Sequence, residues 1–512
     1  MTMEETRRGS RRGTDHRPTA PSQGTGARSG GRSTSVVRPD EDQPLGNISG
    51  RVRQGVGGWL RSPALDFYGI LVVGALLISL GLVMVLSSSA VLNISRGNSG
   101  FAGLFRQGTF VGIGLLMLVV ASLLPPSFYR RAAWPLLGLG LALQCLVFVP
   151  GLGVAVDGNQ NWISVAGQTL QPSEFLKLAL AVWLGAVLAT KRPLLHRTGH
   201  LLFPLIPGVL LALGLVMLGH DLGTMMIMAM LVAGAVWVAG IPRRWFAAAG
   251  IIGVLGVIGL TVTSSNRMAR ITNWLHGICE GDSCYQSDQG LMGLAEGGWW
   301  GKGLGQSAQK WGRLPAAEDD YIFAIIGEEL GLIGTLGVVL LFTVLALLLF
   351  RMITRLEDHF MQITVAGICA WLLGQAFVNM MVVTGLLPVI GVPLPFISSG
   401  GSALLASMTA LGILLSFARR EPGAAEAIHA RFGAVRRSVS VQPAPRDGGA
   451  ARGTRRTKTS RRGAKGPGKK SATKKGARGK QRSRGASTGT ARAATSAPAP
   501  RRGDDRTTRR SR

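Results

Sequence analysis

YIFAIIGEELGLIGTLGVVLLFTVLALLLF, residues 321–350, holds only two charged side chains, Glu328 and Glu329, both near its start. At 1.5 Å per residue a helix of this length outreaches the roughly 30 Å of bilayer hydrocarbon, so the run predicts a spanning helix that tilts or projects. Its apolar character is continuous rather than alternating, which speaks against a membrane barrel. Inside lipid, a helix pairs its backbone groups within its own segment. Working outward, similar runs recur at about 65–88, 102–124, 134–153, 174–190, 201–219, 222–240, 245–263, 361–384 and 397–418. The expectation is an all-α polytopic membrane protein of ten spans, with only Gly219, His220 and Asp221 dividing 201–240 into two.

Charge is segregated along the chain. Of a net +30, residues 1–63 supply 11 basic against 6 acidic groups and residues 419–512 supply 28 against 5, which leaves the 64–418 body nearly neutral. The last segment is built from Gly, Ala, Ser, Thr, Pro, Lys and Arg and has too little apolar side chain to offset the entropy of ordering it. Three parts follow: a disordered segment 1–63, a transmembrane domain 64–418 and a disordered basic tail 419–512. Such a tail reads as a solvated, solubilising extension or as a contact to anionic lipid or protein, whereas no aromatic platform accompanies the charge to suggest nucleic acid. The polar start argues against a cleavable signal peptide.

Arg61, Arg130, Arg131, Lys191, Arg192, Arg197, Arg243, Arg244, Arg351, Arg355, Arg419 and Arg420 fall on one side of a ten-span layout. Positive-inside bias makes that side, with both termini, cytoplasmic. Loops at about 89–101, 153–173, 264–320 and 385–396 are then outside. The 264–320 loop is long for a passive connection, and its Trp274, Trp299, Trp300 and Trp311 suit the membrane interface. It also holds Cys279 and Cys284, read as a small disulfide or as two free or metal-binding thiols.

Five groups carry candidate chemistry. Glu174 and Lys177, after Gln171-Pro172, share a helix face as an ion pair or as a contact to a substrate phosphate or sugar. Arg106-Gln107 offers an anchor or a guanidinium fork for phosphate. Asp221 in Gly219–Thr224 reads as a helix cap or as a residue that positions a ligand or metal. The stretch Lys310–Phe323 with Gly327–Gly331 is the most acidic part of the body and reads as helix capping or as crowded carboxylates that gain proton affinity in apolar surroundings, as a general base near neutral pH requires. Finally, Asn379 and the irregular Pro393–Ser402, with Ser398, Gly400, Gly401 and Ser402, read as a kinked helix start or as an anion-facing N-terminus. The Gly301–Gly305 stretch lacks the spacing of a nucleotide loop, so no nucleotide is expected.

Taken in order, GLVMVLSSSA at 81–90, RQ at 106–107, NWISVAGQTLQPSEFLKLA at 161–179, DLGT at 221–224, GGWWGKGLGQSAQK at 297–310, LPAAEDDYIFAIIGEELGLIG at 314–334 and NMMVVTGLLPVIGVPLPFISSGGS at 379–402 closely resemble the SEDS family of bacterial peptidoglycan glycosyltransferases. The pattern is closer to the division members than to the elongation members, and the basic tail resembles those of high-GC Gram-positive bacteria. The resemblance implies a SEDS fold, a site outside the cell membrane at the division septum, and polymerisation of lipid II, as donor and acceptor, into β-1,4-linked strands with release of undecaprenyl diphosphate. It also implies a class B penicillin-binding transpeptidase and other division proteins as partners. The family's essential Asp stands before the aromatic of its DFIF stretch, which here is DYIF, so the implied catalytic residue is Asp320.

A sugar 4-hydroxyl needs a base, whereas a diphosphate leaves without a protonating acid. One carboxylate is then sufficient, with cations to hold the diphosphate. Arg106, Lys177, Arg270 and Lys310 are the candidates, or a divalent ion such as Mg or Mn whose ligands the sequence does not identify. The chain departs from the family at Asn161, His220, Ala317-Glu318 and Ser399, where arginine, proline, Ala-His and tyrosine are usual. A lipid II flippase and a noncatalytic division scaffold are the alternative readings.

Overall fold

A computed structural model describes Ser62 and residues 64 to 428, with breaks at 96, 98, 157–158, 166, 193–197, 263–264 and 277–284. The disorder expected of 1–63 and of the tail beyond 428, and the expected pairing of Cys279 with Cys284, lie outside the described residues; residues 419–428, expected to be disordered, instead carry a turn and a short helix with Glu421, Ala424 and Ile428 buried. Each apolar run carries a helix. The elements are α1 Ala64–Ser95, α2 Ala102–Leu123, α3 Pro126–Cys145, β1 Gly153–Val156, β2 Asn159–Val165, β3 Gln168–Leu170, α4 Pro172–Lys191, α5 Thr198–Leu218, α6 Leu222–Val238, α7 Arg243–Val262, α8 Ser265–His276, α9 Tyr285–Gly297, α10 Ile322–Arg355, α11 His359–Val383 and α12 Gly401–Ala418.

The chain is a multi-pass membrane protein. Among the described residues, eight helices (α1 to α4, α7 and α10 to α12) are long and apolar enough to cross a bilayer, two fewer than the ten expected. The other two runs give shorter helices. Non-helical backbone at Phe203 takes the first turn from α5, and α6 is bounded by its Asp221 cap and by Gly240 at positive φ. α3 starts at Pro126, ahead of its apolar run, because Arg130 and Arg131 sit in its opening turns; charged side chains at a helix end reach polar surroundings while their stems stay apolar.

Two stretches expected as loops have structure of their own. Strands β1, β2 and β3 form an antiparallel sheet in the order β1-β2-β3, with Val154 opposite Trp162 and Ile163 opposite Leu170. The 264–320 segment contains α8 and α9. The sheet is tied back to the bundle where Gln160 N donates to Gly219 O (3.0 Å) and Gln160 Nε2 to Val147 O (3.0 Å).

α4, α11 and α12 are the most enclosed helices. α11 packs on α4, α6 and α10, and α12 packs on α1, α2 and α4. α7 stands apart, with Thr261 its one buried described residue.

α10 is not continuous. Gly331, at φ 68° and ψ −164°, separates a short segment, Ile322–Leu330, from the longer Leu332–Arg355. The broken turn is bonded to another piece of chain: Lys302 N donates to Glu328 O (2.9 Å), Gly303 N to Glu329 O (3.0 Å) and Leu332 N to Gly298 O (2.9 Å). Gly301, φ 77°, faces Gly331 here, and a Cβ on either would collide with backbone of the opposite strand. Both positions therefore need glycine for conformation and for space.

Candidate functional site

The short segment of α10 begins at an acidic turn whose shape comes from its own backbone: Ala316 O accepts from Asp319 N (3.0 Å) and Tyr321 N (3.3 Å). The Pro393–Gly400 segment clasps this turn. Ser399 N donates to Glu318 O (2.9 Å), and Ser398 Oγ donates to Asp319 O (2.6 Å) while accepting from Leu394 N (2.8 Å). Ser399 Oγ hydrogen-bonds the Asp319 carboxylate. Gln107 Nε2 reaches Ser398 O (3.3 Å), which brings the second sequence candidate to the same place.

Asp320 is half-buried in this turn. Its Oδ2 lies 3.4 Å from where a Cβ on Gly391 would stand, so a glycine with φ 77° borders the carboxylate. Burial, helped by the charges of Asp319 and Asp221 and opposed by Arg270, raises its pKa to about 7. That is the value a general base working near neutrality requires.

Asp221 caps α6, where its Oδ1 accepts from Thr224 N (2.9 Å). Its Oδ2 accepts from Asn161 Nδ2 of β2 (2.9 Å) and Gln171 Nε2 (3.0 Å). Both oxygens are thus engaged by protein donors. Gln171 N in turn donates to Ser402 Oγ (3.2 Å) on α12. A Cβ on Gly401 would collide with the outer edge of the Phe110 ring, and Gly400 serves as the N-cap of α12.

The four candidate cations fall into two classes. Lys177 is buried: its Nζ is 2.8 Å from Glu174 Oε1 and 2.8 Å from Gln375 Oε1, and it lies over the Trp371 ring. Lys310 is equally enclosed, 3.1 Å from Glu329 Oε1 and 3.4 Å from Ser87 Oγ, with Ser87 also donating to Glu329 (2.6 Å). Arg106 and Arg270 are exposed. Arg270 Nη1 reaches Val389 O (3.5 Å), two residues from Gly391, which sets its charge beside Asp320.

Glu328 is likewise committed to holding chain. It accepts from Lys302 Nζ (3.0 Å), Ala308 N (2.7 Å), Gln309 N (3.4 Å) and Ser307 Oγ. Of the acids around the start of α10, Glu328 and Glu329 anchor the 302–310 segment, and Asp319 and Asp320 lie in the turn before it.

Sequence reasoning did not single out Asn161 and Ser399 as site members, yet each binds an acid beside Asp320. It also omitted Gln375, whose Nε2 donates to Pro393 O (2.8 Å), and Ser87. Ser87 stands in the serine run 87–89 of an otherwise apolar helix, which is a readable signal; Gln375 offered only its polarity within α11. Among the described residues no three His, Cys, Asp or Glu side chains are grouped to hold a metal, and the Asp221 oxygens are taken.

A family described as "Cell cycle protein", comprising FtsW, RodA and SpoVE, matches residues 68–422. A relative from Mycobacterium tuberculosis, the "Probable peptidoglycan glycosyltransferase FtsW", is 38% identical over 407 residues, which is 78% of each chain. Among solved structures, one chain from work on "Structural coordination of polymerization and crosslinking by a peptidoglycan synthase complex" is 25% identical with a TM-score of 0.57, covering 69% of this chain and 98% of that one. The rod shape determining protein RodA of Thermus thermophilus is 26% identical with a TM-score of 0.52, covering 69% and 97%.

Proposed function

The chain belongs to the FtsW, RodA and SpoVE family of cell cycle proteins, and on that premise we propose that it is a peptidoglycan glycosyltransferase that polymerises lipid II with Asp320 as general base. The observation that carries the assignment of the base is the placement of Asp320 in an acidic turn clasped by the Pro393–Gly400 segment with Gly391 at its carboxylate, where burial pushes its proton affinity up toward neutrality. The ionised carboxylate accepts the proton of the acceptor's sugar 4-hydroxyl as that oxygen attacks the anomeric carbon of the donor. The bond from that carbon to the diphosphate breaks, and undecaprenyl diphosphate leaves as the anion. A single in-line displacement inverts the anomeric centre, and one carboxylate is sufficient. Arg270, exposed beside Asp320, is placed to meet the leaving diphosphate, as is Arg106 at the outer end of α2. Lys177 and Lys310, each buried in an ion pair, are not.

In this reading α5 and α6 complete a ten-span bundle with both termini in the cytoplasm, and the Asp320 end faces outward at the division septum. The partners in this reading are a class B penicillin-binding transpeptidase and other division proteins, which accords with a structural relative drawn from work on a peptidoglycan synthase complex that coordinates polymerization and crosslinking. The test is purified full-length chain with its cognate transpeptidase and labelled lipid II. Polymer is expected from the wild type and none from Asp320→Ala; polymer that persists in the variant removes Asp320 from the mechanism.

A further inference from the structure

We propose that Asn379 is the positioning residue of the Asp320 base, an inference that rests on the assignment of Asp320 just given. Asn379 projects from α11 and is buried. Its Nδ2 donates both hydrogens to main chain, one to Asp320 O (2.7 Å) and one to Val392 O (2.8 Å). Two carbonyls at these distances fix which end of the amide is nitrogen, because an oxygen there would face two acceptors. One side chain thus staples the acidic turn to the segment that carries Gly391, the residue bordering the Asp320 carboxylate.

The staple is itself held. Gln375, one turn earlier on the same face of α11, donates from Nε2 to Pro393 O (2.8 Å). Its Oε1 accepts from Lys177 Nζ (2.8 Å) and Trp371 Nε1 (3.0 Å). Trp371, Gln375 and Asn379 follow each other at intervals of four along α11, so they form a single polar row inside an apolar bundle. The row grips consecutive carbonyls, those of Val392 and Pro393, and its far end is braced by the buried Glu174–Lys177 pair. Cutting the staple frees the Asp320 turn on one side only, since Ser398 and Ser399 still hold Asp319 and Glu318. The carboxylate is then misplaced and better hydrated without loss of the turn.

The test uses full-length protein in proteoliposomes with its cognate transpeptidase and fluorescent lipid II, comparing wild type with Asn379→Leu, which is near in size and lacks both donors, and Asn379→Ser, which keeps one. Misplacement of a reacting group by about an ångström lowers turnover on the order of 10²-fold. The expected result is such a fall in kcat for Asn379→Leu, a smaller one for Asn379→Ser, and KM within about twofold of wild type. In both variants the acid limb of the kcat profile moves down toward the ordinary carboxylate range near about 4. A raised KM with an unshifted limb would overturn the proposal in favour of a direct substrate contact. A uniform loss at every pH, or failure of both variants to fold, would overturn it in favour of a purely structural role. Asp320→Asn run in parallel separates the two layers: if it still polymerises, the base assignment fails; if it is dead while the Asn379 limb stays put, only the staple fails.

Discussion

Lys310 and Glu329 lie 3.1 Å apart with both side chains shut away from solvent. Removing one partner of a buried pair leaves an uncompensated charge and costs about 3–5 kcal/mol, whereas removing both is often nearly neutral. Lys310→Met is therefore expected to lower the thermal midpoint of the detergent-purified protein sharply, and the double variant with Glu329→Gln to recover most of the loss. A lysine reserved for substrate phosphate would behave otherwise, leaving the midpoint alone and raising KM.

Polymerisation should need Asp320 ionised, so its rate falls as the pH drops through about 7. Asp221 raises the proton affinity of Asp320 and Arg270 lowers it. Asp221→Asn should accordingly move the acid limb to lower pH, and Arg270→Gln should move it to higher pH. Steady-state rates between pH 5 and 9 at saturating lipid II would read both shifts, and a limb that ignores both substitutions belongs to some other group.

The same raised affinity has a consequence for stability. An unfolded carboxyl ionises near about 4, while the folded Asp320 holds its proton to about 7, so the folded state is penalised progressively as the pH rises between those values. Asp320→Asn should unfold at a higher temperature than wild type at pH 8, with the gap closing toward pH 4. Activity and stability trade against each other at this residue.

Gly240 and Gly301 both have positive φ, but space around them differs. A Cβ on Gly240 meets nothing within 4 Å, whereas one on Gly301 runs into the Glu329 carbonyl. Gly240→Ala should cost only the left-handed strain of about 1–2 kcal/mol. Gly301→Ala should cost clearly more, visible as a larger fall in thermal midpoint, because it also pries the 298–303 segment off the break in α10.

What could be read from sequence follows from the range of the interactions involved. The helices announce themselves by local apolarity, and the two prolines and two glycines of 393–401 correctly signal irregular chain before α12. Asp221 was legible as a cap, since the capped amide is three residues away. The sheet at 153–170 was not, because its strands have three to seven residues and no sustained alternation. The Glu174–Lys177 pair was one of two local readings and is formed, whereas the other partners were hidden by range: Lys177 also donates to Gln375, 198 positions distant, and Lys310 donates to Ser87, 223 positions distant. Asn161 and Ser399 looked like losses against the family pattern, and only the fold shows them donating to Asp221 and Asp319.

The break at Gly331 bears on how the enzyme meets its membrane. Leu332–Arg355 alone, at 1.5 Å per residue, measures about 36 Å and already exceeds the hydrocarbon layer of about 30 Å. Ile322–Leu330 is then a pedestal of about 13 Å, bolted to neighbouring chain through Glu328 and Glu329 rather than to lipid. The elevation of Asp320 is written into the protein like a mark on a ruler. With Asp320 as the base, a thicker or thinner bilayer is expected to raise or lower the substrate's phosphates against that mark, so the polymerisation rate in proteoliposomes should change with acyl-chain length.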